Sequence, residues 1–487
     1  KTDITPRVGV ELCGFGPYRC RHSVGVRDRL WARAMAVEAG GVRAVVVSCD
    51  LIGCPRPVTR RVRSRVAAAS GLDPDAVMIH CTHTHSGPSL GGLIGWGEPD
   101  PPYVETVPGR IAGACLEALA ALRPAELRIA EAPCEGIGQN REYDRDALPL
   151  EEVLADGWRP NRPELTDTSC RVLAATADGR LIGFASYFGC HPVVCCAANR
   201  WIHGDYCGVA TNALEREHDG AVGLFLQGAQ GDVNTCVVHK GEQESLLALD
   251  VVAARYAEAV REGLRRARSA EAMPADGPVA YVRMDRAFTP KPWDLPRLEA
   301  LLAEKEAAVA AWGGNPGAPA GGGPCADGGE STHADGRETN GRTCMDASSA
   351  LAAGADADGK LRLDVVHLTA LRRLTAAARR GEDLRPVVEI HGLRIGPVSL
   401  LASGFEVFQA VKNEVKAAAR SPVSLVMGLT GDLAGYAPDR TAAERGGYAA
   451  DLVPLICGRL PLADAHGELV AALLDVDGRL HEQDGPT

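Results

Sequence analysis

The sequence has few aromatic residues, no excess of basic residues and no hydrophobic run long enough to cross a membrane. Aromatic residues make up only 5% of the 487 residues, and the formal net charge is −11. The acidic balance argues against a nucleic-acid partner bound by a basic face, and it gives no support for docking on an anionic membrane. No run reaches the ~18 apolar residues of a membrane span, so we expect no membrane insertion.

Cysteine is plentiful but follows no metal-binding or disulfide pattern. The chain has 16 Cys and no Cys-X-X-Cys pair. Because a chain of this size does not need disulfides for stability, we expect most of these cysteines to be buried and reduced. A few surface disulfides are the alternative. The first six residues contain no apolar signal core. These features predict a cytoplasmic protein, with a removed leader peptide left as an open alternative.

Apolar runs alternate with helical patterns along most of the chain, which predicts an α/β fold with helices covering the sheet. The predicted strands cover residues 43–49, 76–81, 126–131, 171–175, 181–188, 221–227, 387–393, 398–402 and 424–428. The predicted helices cover residues 58–70, 103–122, 245–267, 295–312, 361–380, a segment after 406, and 464–474. No internal repeat is visible. Residues 313–359 interrupt the pattern with a stretch rich in Gly, Ala and Asp, which predicts a disordered insertion.

The segment Thr-His-Thr-His-Ser-Gly-Pro at 82–88 follows one of the predicted strands. In an extended chain, His83 and His85 point to the same face, because side chains repeat every two residues. Imidazole is the commonest metal ligand and a proton carrier near neutral pH. The spacing alone leaves two readings open, a metal site or hydrogen-bonded histidines at a strand end.

Four later segments contain polar side chains beside turns or strand ends. They hold a histidine before a proline, a Gly-rich turn, a glutamate before a predicted helix, and two tyrosines twelve residues apart. Each has an ordinary structural explanation when taken alone. The residues concerned are His191, 230–234, Glu406, Tyr436 and Tyr448.

Taken together and in this order, the segments resemble the neutral (non-lysosomal) ceramidase superfamily. That superfamily has a T-H-T-H-S-G-P segment, a later single histidine, a Q-G-D-V turn, a G-E turn and two tyrosines. The resemblance implies a mixed β-sheet core flanked by helices. It also implies one catalytic domain over residues 1–487, without the C-terminal immunoglobulin-like domain of ceramidases. The matching positions are 82–88, His191, 230–233, Glu406, Tyr436 and Tyr448.

The resemblance also implies a catalytic zinc ion. Carried over position by position, its ligands are His83, His191, Glu406 and Tyr436. Two imidazoles and a carboxylate are common ligands of catalytic zinc and leave room for a water. Zinc lowers the pKa of such a water to about 7, which makes a nucleophile available near neutral pH.

The same comparison implies roles for residues around the metal. His85 matches a histidine beside the zinc that transfers protons or stabilises an oxyanion. Arg141 matches an arginine near the substrate, and Tyr448 matches a tyrosine that hydrogen-bonds the oxyanion. Asn234 follows Gly-Asp-Val where the family continues Ser-Pro-Asn. An asparagine cannot be a hydroxyl nucleophile, although its amide can donate to an oxyanion, so direct attack by zinc-bound water is favoured.

Two further carboxylates, Asp50 and Asp205, are candidates for orienting the ligating imidazoles. A turn or a helix cap is the alternative for each, and it is favoured for Asp205.

The low aromatic content and the lack of an apolar signal core fit poorly with a lipid-facing enzyme and predict a substrate other than ceramide. We therefore expect a zinc-dependent amidohydrolase that cleaves the C–N bond of a small soluble N-acyl compound. A zinc-dependent esterase or lactonase, a zinc lyase or isomerase, and a catalytically inactive binding protein of the same fold stay open. A homo-oligomer is compatible with the sequence.

Overall fold

The computed structural model describes residues 1–312 and 357–483. The insertion predicted at 313–359 lies outside these residues, apart from positions 357–359 at the start of a helix. Strands β1 to β19 are Thr2–Asp3, Gly25–Val26, Trp31–Ala39, Val42–Cys49, Val77–Cys81, Glu126–Pro133, Gly138–Asn140, Ser169–Ala177, Arg180–Phe188, Trp201–Ile202, Val222–Gln227, Val233–Thr235, Met273–Pro274, Val279–Ala287, Val387–Ile395, Val398–Ser403, Phe405–Val407, Val423–Met427 and Gly435–Ala437. Helices α1 to α11 are Arg56–Ser70, Pro101–Ala120, Leu150–Val153, Asp205–Glu217, Glu242–Ala267, Leu295–Ala311, Ala357–Arg379, Gln409–Ala418, Arg440–Arg445, Val453–Ile456 and Ala465–Glu482.

The strands form mixed sheets flanked by helices, which confirms the predicted α/β class. The structure differs from the sequence expectation in dividing the strands among three larger sheets rather than one. Their strand orders are β1-β3-β4-β5, β11-β9-β8-β6-β13 and β14-β15-β16-β18. The pairs β10-β2, β12-β7 and β17-β19 form separate two-stranded sheets.

Each larger sheet contains the same supersecondary unit. An antiparallel hairpin is followed by a helix and then by a strand parallel to the second hairpin strand. The chain order is β3-β4-α1-β5, then β8-β9-α4-β11, then β15-β16-α8-β18. The repetition is one of topology, because the three units share no evident sequence pattern.

The first unit shows why these residues form these elements. β4 contains a run of fully buried side chains from Ala44 to Val47, as expected for a strand covered on both faces. In α1, Val58, Val62 and Val66 repeat every four residues and are buried. The helix ends at Gly71, whose φ of +68° suits a glycine cap.

The last strands of the three units meet at the buried side chain of His80 in β5. His80 Nδ1 lies 3.1 Å from the carbonyl oxygen of Gly428, and Nε2 accepts a hydrogen bond of 2.8 Å from the N–H of Gln227. The Cys81 N–H also donates to the Leu429 carbonyl at 3.1 Å. These contacts hold the carboxyl ends of β5, β11 and β18 together.

Two long strands were not predicted. β3 consists largely of alanine, charged residues and scattered apolar residues, and β14 ends in an exposed, charged half. Both are antiparallel strands whose side chains are only partly buried, so their hydrophobic pattern is weak.

The free cysteines of the described residues are buried except Cys457, as expected for most of the cysteines. Cys20 is disulfide-bonded, which corresponds to the alternative. Within residues 1–312 and 357–483, no helix has the length and apolarity needed to span a bilayer.

Candidate active site

The predicted ligand residues lie in the segments that follow the parallel strands of the larger sheets. His83 follows β5, and His191 follows β9. Glu406 lies in β17, which follows β16, and Tyr436 lies in β19, which follows β18. β17 and β19 are parallel neighbours in which Glu406 pairs with Tyr436. Ligand sites in α/β sheets commonly lie at such carboxyl ends.

Backbone carbonyls fix the orientation of His83 and His191. His83 Nδ1 donates to the Ile52 carbonyl oxygen at 2.7 Å, and His191 Nδ1 donates to that of Gln230 at 2.6 Å. Because a carbonyl can only accept, both Nδ1 atoms must carry the hydrogen. Both Nε2 atoms therefore present a lone pair, which is the tautomer that a metal requires.

The two Nε2 atoms face the same carboxylate. Glu406 Oε2 lies 3.0 Å from His191 Nε2 and 3.3 Å from His83 Nε2. Burial acts to raise the pKa of Glu406, but the adjacent imidazoles lower it well below its usual value, so the group is a carboxylate. Burial also lowers the pKa of His191 to about 4, which keeps this imidazole neutral. Two Nε2 atoms that converge on one carboxylate fit a divalent cation.

His83 reaches this position through a strained loop rather than a strand. β5 ends at Cys81, and His83 has a φ of +73°, a region that non-glycine residues seldom occupy. The His83 N–H donates to the Leu51 carbonyl at 2.9 Å, which ties the loop to the end of β4. His83 and His85 therefore do not lie on one face of an extended strand, so that part of the prediction is wrong. Their imidazoles nevertheless lie side by side, as predicted.

His85 lies beside the first two histidines but is held differently. Its Nε2 is 3.3 Å from His83 Nε2, and its buried Nδ1 has no hydrogen-bond partner in the described residues. By distance alone, His83, His85 and His191 form one group that can hold a metal ion. The missing carbonyl contact distinguishes His85 from the other two. Burial lowers the pKa of His85 well below its usual value, so it is neutral and able to accept a proton.

Tyr436 lines the same cleft and lies against Arg141. The Arg141 guanidinium is 5.0 Å from the centre of the Tyr436 ring, and its Nη2 donates to the Gly231 carbonyl at 2.6 Å. Burial raises the pKa of Tyr436 well above its usual value, although Arg141 acts in the opposite direction. The effect of burial is the larger one, so the hydroxyl is protonated.

Asn234 and Tyr448 complete the predicted set. Asn234 lies in β12 opposite Gln139, and its side-chain amide makes no hydrogen bond within the described residues. Tyr448 begins a π-helical turn, and its ring centre is 6.0 Å from that of Tyr436. Both side chains line the cleft that also contains His85, His191 and Arg141. The structure thus brings all eight predicted residues together.

Neither proposed orienting carboxylate contacts an imidazole ligand. Asp50 accepts from the Trp31 N–H at 2.9 Å and forms a buried ion pair with Arg33. Asp205 accepts from backbone N–H groups, including that of Tyr206 at 2.8 Å, and so fixes the turn at the start of α4. The orienting role predicted for these two residues is therefore wrong. The turn or cap alternative is right for Asp205, whereas Asp50 belongs to a buried ion pair that neither alternative predicted.

Two features of the site were not predicted from the sequence, namely the backbone groups that orient the imidazoles and the outer wall of the cleft. The carbonyl oxygens of Ile52 and Gln230 orient the imidazoles, and any residue type could supply them. Phe15, Trp96 and Lys240 line the cleft from distant parts of the chain. Lys240 follows the Gln-Gly-Asp-Val turn by only seven residues, and this proximity was the one available signal.

A second buried group, Cys195, His203 and Asp205, has the spacing of a metal site. Its polar atoms are already engaged. His203 Nδ1 accepts from the Asp205 N–H at 3.1 Å, and the Asp205 carboxylate accepts from backbone N–H groups of the chain around it. This group stabilises the turn before α4.

The fold is also that of known ceramidases. The chain superimposes on the crystal structure of neutral ceramidase from Pseudomonas aeruginosa with a TM-score of 0.67 and 18% identity, over 98% of this chain and 74% of the other. A structure of a ceramidase complexed with C2 gives a TM-score of 0.69 and 19% identity, over 99% of this chain and 74% of the other.

Sequence comparison agrees. The curated neutral ceramidase of Pseudomonas aeruginosa is 29% identical over 252 residues, which is 48% of this chain and 36% of that protein. The chain therefore matches only about a third of the length of this relative. Residues 1–246, about half of the chain, match the family described as neutral/alkaline non-lysosomal ceramidase, N-terminal. This chain belongs to that family.

Proposed function

We propose that this protein is a zinc-dependent hydrolase that cleaves the amide C–N bond of a small soluble N-acyl compound. The observation that carries the proposal is the convergence of His83 Nε2, His191 Nε2 and Glu406 Oε2 at one point of a cleft. Membership of a ceramidase family supports amide hydrolysis as the reaction, because neutral ceramidase is the activity named for the curated relative.

The residues present fit a zinc ion. His83, His191 and Glu406 would hold it, and Tyr436 would be the fourth ligand, since its residue pairs with Glu406 between β17 and β19. A zinc ion there would supply Lewis acidity and a water that is nucleophilic near neutral pH.

The remaining side chains divide the work of hydrolysis. When water adds to the amide carbonyl, the neutral His85 imidazole accepts a proton, which then passes to the leaving nitrogen as the C–N bond breaks. The Asn234 amide and the Tyr448 hydroxyl line the cleft where they can donate to the carbonyl oxygen as it becomes negative. Arg141 holds the Gly231 turn and the Tyr436 ring in place.

Ceramide or another long-chain amide is the second candidate substrate. The similarity to neutral ceramidase favours it. The short-chain proposal is supported by the cleft wall, where two cationic side chains, Arg141 and Lys240, lie among the apolar residues. A neutral lipid amide has no anionic group to pair with them.

The test combines metal analysis with a substrate panel. The protein is stripped with chelator, reloaded with zinc, and assayed on a short N-acyl amide, the matching ester, a lactone and a long-chain ceramide. We expect one zinc per chain, loss of that zinc in His83→Ala, and zinc-dependent turnover of the short amide. The exposed His22 provides the control variant His22→Ala. Absence of zinc from the wild-type protein, or turnover of ceramide alone, contradicts the proposal.

A further inference from the structure

We propose that the substrate of this cleft carries a carboxylate and that Lys240 binds it. This inference rests on the proposed function, because it names the chemical class of the N-acyl compound. It makes Lys240 a specificity-determining residue of the same cleft.

The charge of the cleft is opposite to that of the chain. The protein has a formal net charge of −11. Among the described residues that line the cleft, Arg141 and Lys240 are cationic, and the one carboxylate beside it is that of Glu406 at the proposed metal site. Such a local excess of positive charge attracts anionic ligands and holds them in a concave site.

Lys240 is the cation that is available to a ligand. Arg141 already donates to the Gly231 carbonyl and lies over the Tyr436 ring. The Lys240 ammonium group forms neither an ion pair nor a hydrogen bond within the described part of the chain. The nearby Glu244 carboxylate instead accepts from the Gly241 N–H at 3.1 Å. Lys240 is half-buried, so a carboxylate bound to it would be partly shielded from water.

Much of the remaining wall of the cleft is apolar. Phe15, Trp96, Val193 and Val238 line it together with His85 and His191. One free ammonium group beside an apolar wall suits a molecule with a short hydrocarbon part and a single anionic end. The carboxylate could belong to the amine part, as in an N-acyl amino acid, or to the acyl part, as in a half-amide of a dicarboxylic acid.

Three matched amides separate these sources. N-butyrylglycine has its carboxylate on the amine part, N-ethylsuccinamic acid has it on the acyl part, and N-ethylbutyramide has none. Turnover is measured on zinc-loaded wild type, Lys240→Gln and the control Lys416→Gln, since Lys416 is exposed and does not line the cleft. Binding of the same compounds is measured by calorimetry, so recognition is determined separately from hydrolysis.

We expect one of the two acids to be preferred over the neutral amide. In Lys240→Gln the KM for that acid should rise about tenfold with kcat little changed, because the lost contact lies away from the reacting bond. The neutral amide and the Lys416→Gln control should show no change. The acid that responds shows which part of the substrate carries the carboxylate.

Two results overturn the inference. The first is equal binding and turnover of the acids and the neutral amide. The second is an acid preference that survives intact in Lys240→Gln. Binding of an acid that depends on Lys240, without hydrolysis of any amide, would instead contradict the proposed function and leave carboxylate recognition standing.

Discussion

His83 and His85 are two residues apart, yet their hydrogen bonds assign them different work. His83 has its Nδ1 fixed by a carbonyl, whereas the Nδ1 of His85 has no partner in the described residues. We expect His85→Ala to keep its zinc, measured by mass spectrometry of the purified protein, and to lose about 10²–10⁴-fold in kcat. His83→Ala should lose the zinc itself. Loss of zinc from His85→Ala would show that His85 is a ligand, contrary to this assignment.

Asn234 supports a second prediction for a single side chain. Its amide lines the cleft and makes no hydrogen bond within the described residues. We expect Asn234→Ala to lower kcat about 10²-fold, because one donor to the oxyanion is removed. The melting temperature should stay close to that of the wild type. The exposed Asn161 provides the control Asn161→Ala, and a variant with unchanged kcat would rule out the oxyanion role.

Single residues were the level at which the sequence was most informative about chemistry. The motif at 82–88 and the order of the later segments identified residues that the fold does bring together. What the sequence could not supply was the means of orientation. A carbonyl oxygen such as that of Ile52 can come from any residue type. The left-handed backbone conformation of His83 is likewise not predicted by its residue type.

At the scale of elements, the site depends on how closely the Gln-Gly-Asp turn approaches β17. The Gly231 N–H donates to the Val407 carbonyl at 2.8 Å. A Cβ atom on Gly231 would lie 2.7 Å from the Glu406 carbonyl oxygen and 2.7 Å from the Phe408 ring. We expect Gly231→Ala to push β17 away, to lower stability by about 1–3 kcal/mol and to weaken zinc binding, because Glu406 moves with its strand.

A matched glycine isolates this effect. A Cβ atom on Gly208 in α4 meets nothing closer than Asp50 Oδ1 at 3.8 Å. Gly208→Ala should therefore be neutral or slightly stabilising, as alanine favours a helix. Chemical denaturation and zinc titration of both variants give the comparison. Wild-type zinc affinity in Gly231→Ala would show that the turn does not position Glu406.

The long elements were predicted because burial gives them a clear hydrophobic pattern. β4, β5 and β11 are fully or largely buried, and each was found within two residues of its bounds. The three-residue strands β17 and β19 were not found. They are too short to show a hydrophobic periodicity, and they form only because the tertiary structure brings the two segments side by side.

At the scale of the whole molecule, the sequence did not predict that three units of similar topology meet at the side chain of His80. An apolar strand has the same pattern whichever strand it pairs with, so neither the division into three sheets nor their common topology could be read from periodicity. The contacts of His80 with the ends of β11 and β18 were equally hidden. In the sequence, His80 was only the histidine nearest to the motif.

His80 makes the stability of the assembled sheets depend on pH. Burial lowers its pKa from 6.5 to about 3 in the folded protein. Between these values the unfolded chain binds a proton that the folded chain does not, so the free energy of unfolding falls as the pH falls from 6.5 towards 3. In His80→Leu this contribution is absent. The variant also leaves the Gln227 N–H without its partner, which should cost about 1–3 kcal/mol at pH 7.5.

Loss of the hydrogen bond destabilises His80→Leu, whereas loss of the imidazole removes the destabilisation that the wild type undergoes in acid. At pH 7.5 the wild type should melt well above His80→Leu, and the gap should narrow steadily between pH 6.5 and pH 4, because only the wild type is destabilised by protonating this imidazole on unfolding. Melting temperatures are measured on chelator-treated protein, so that loss of zinc in acid does not contribute. The exposed His22 gives the control variant His22→Leu, which leaves the buried His80 imidazole in place. A gap for His80→Leu that stays constant across this pH range would mean that His80 does not join the three sheets as a buried neutral group.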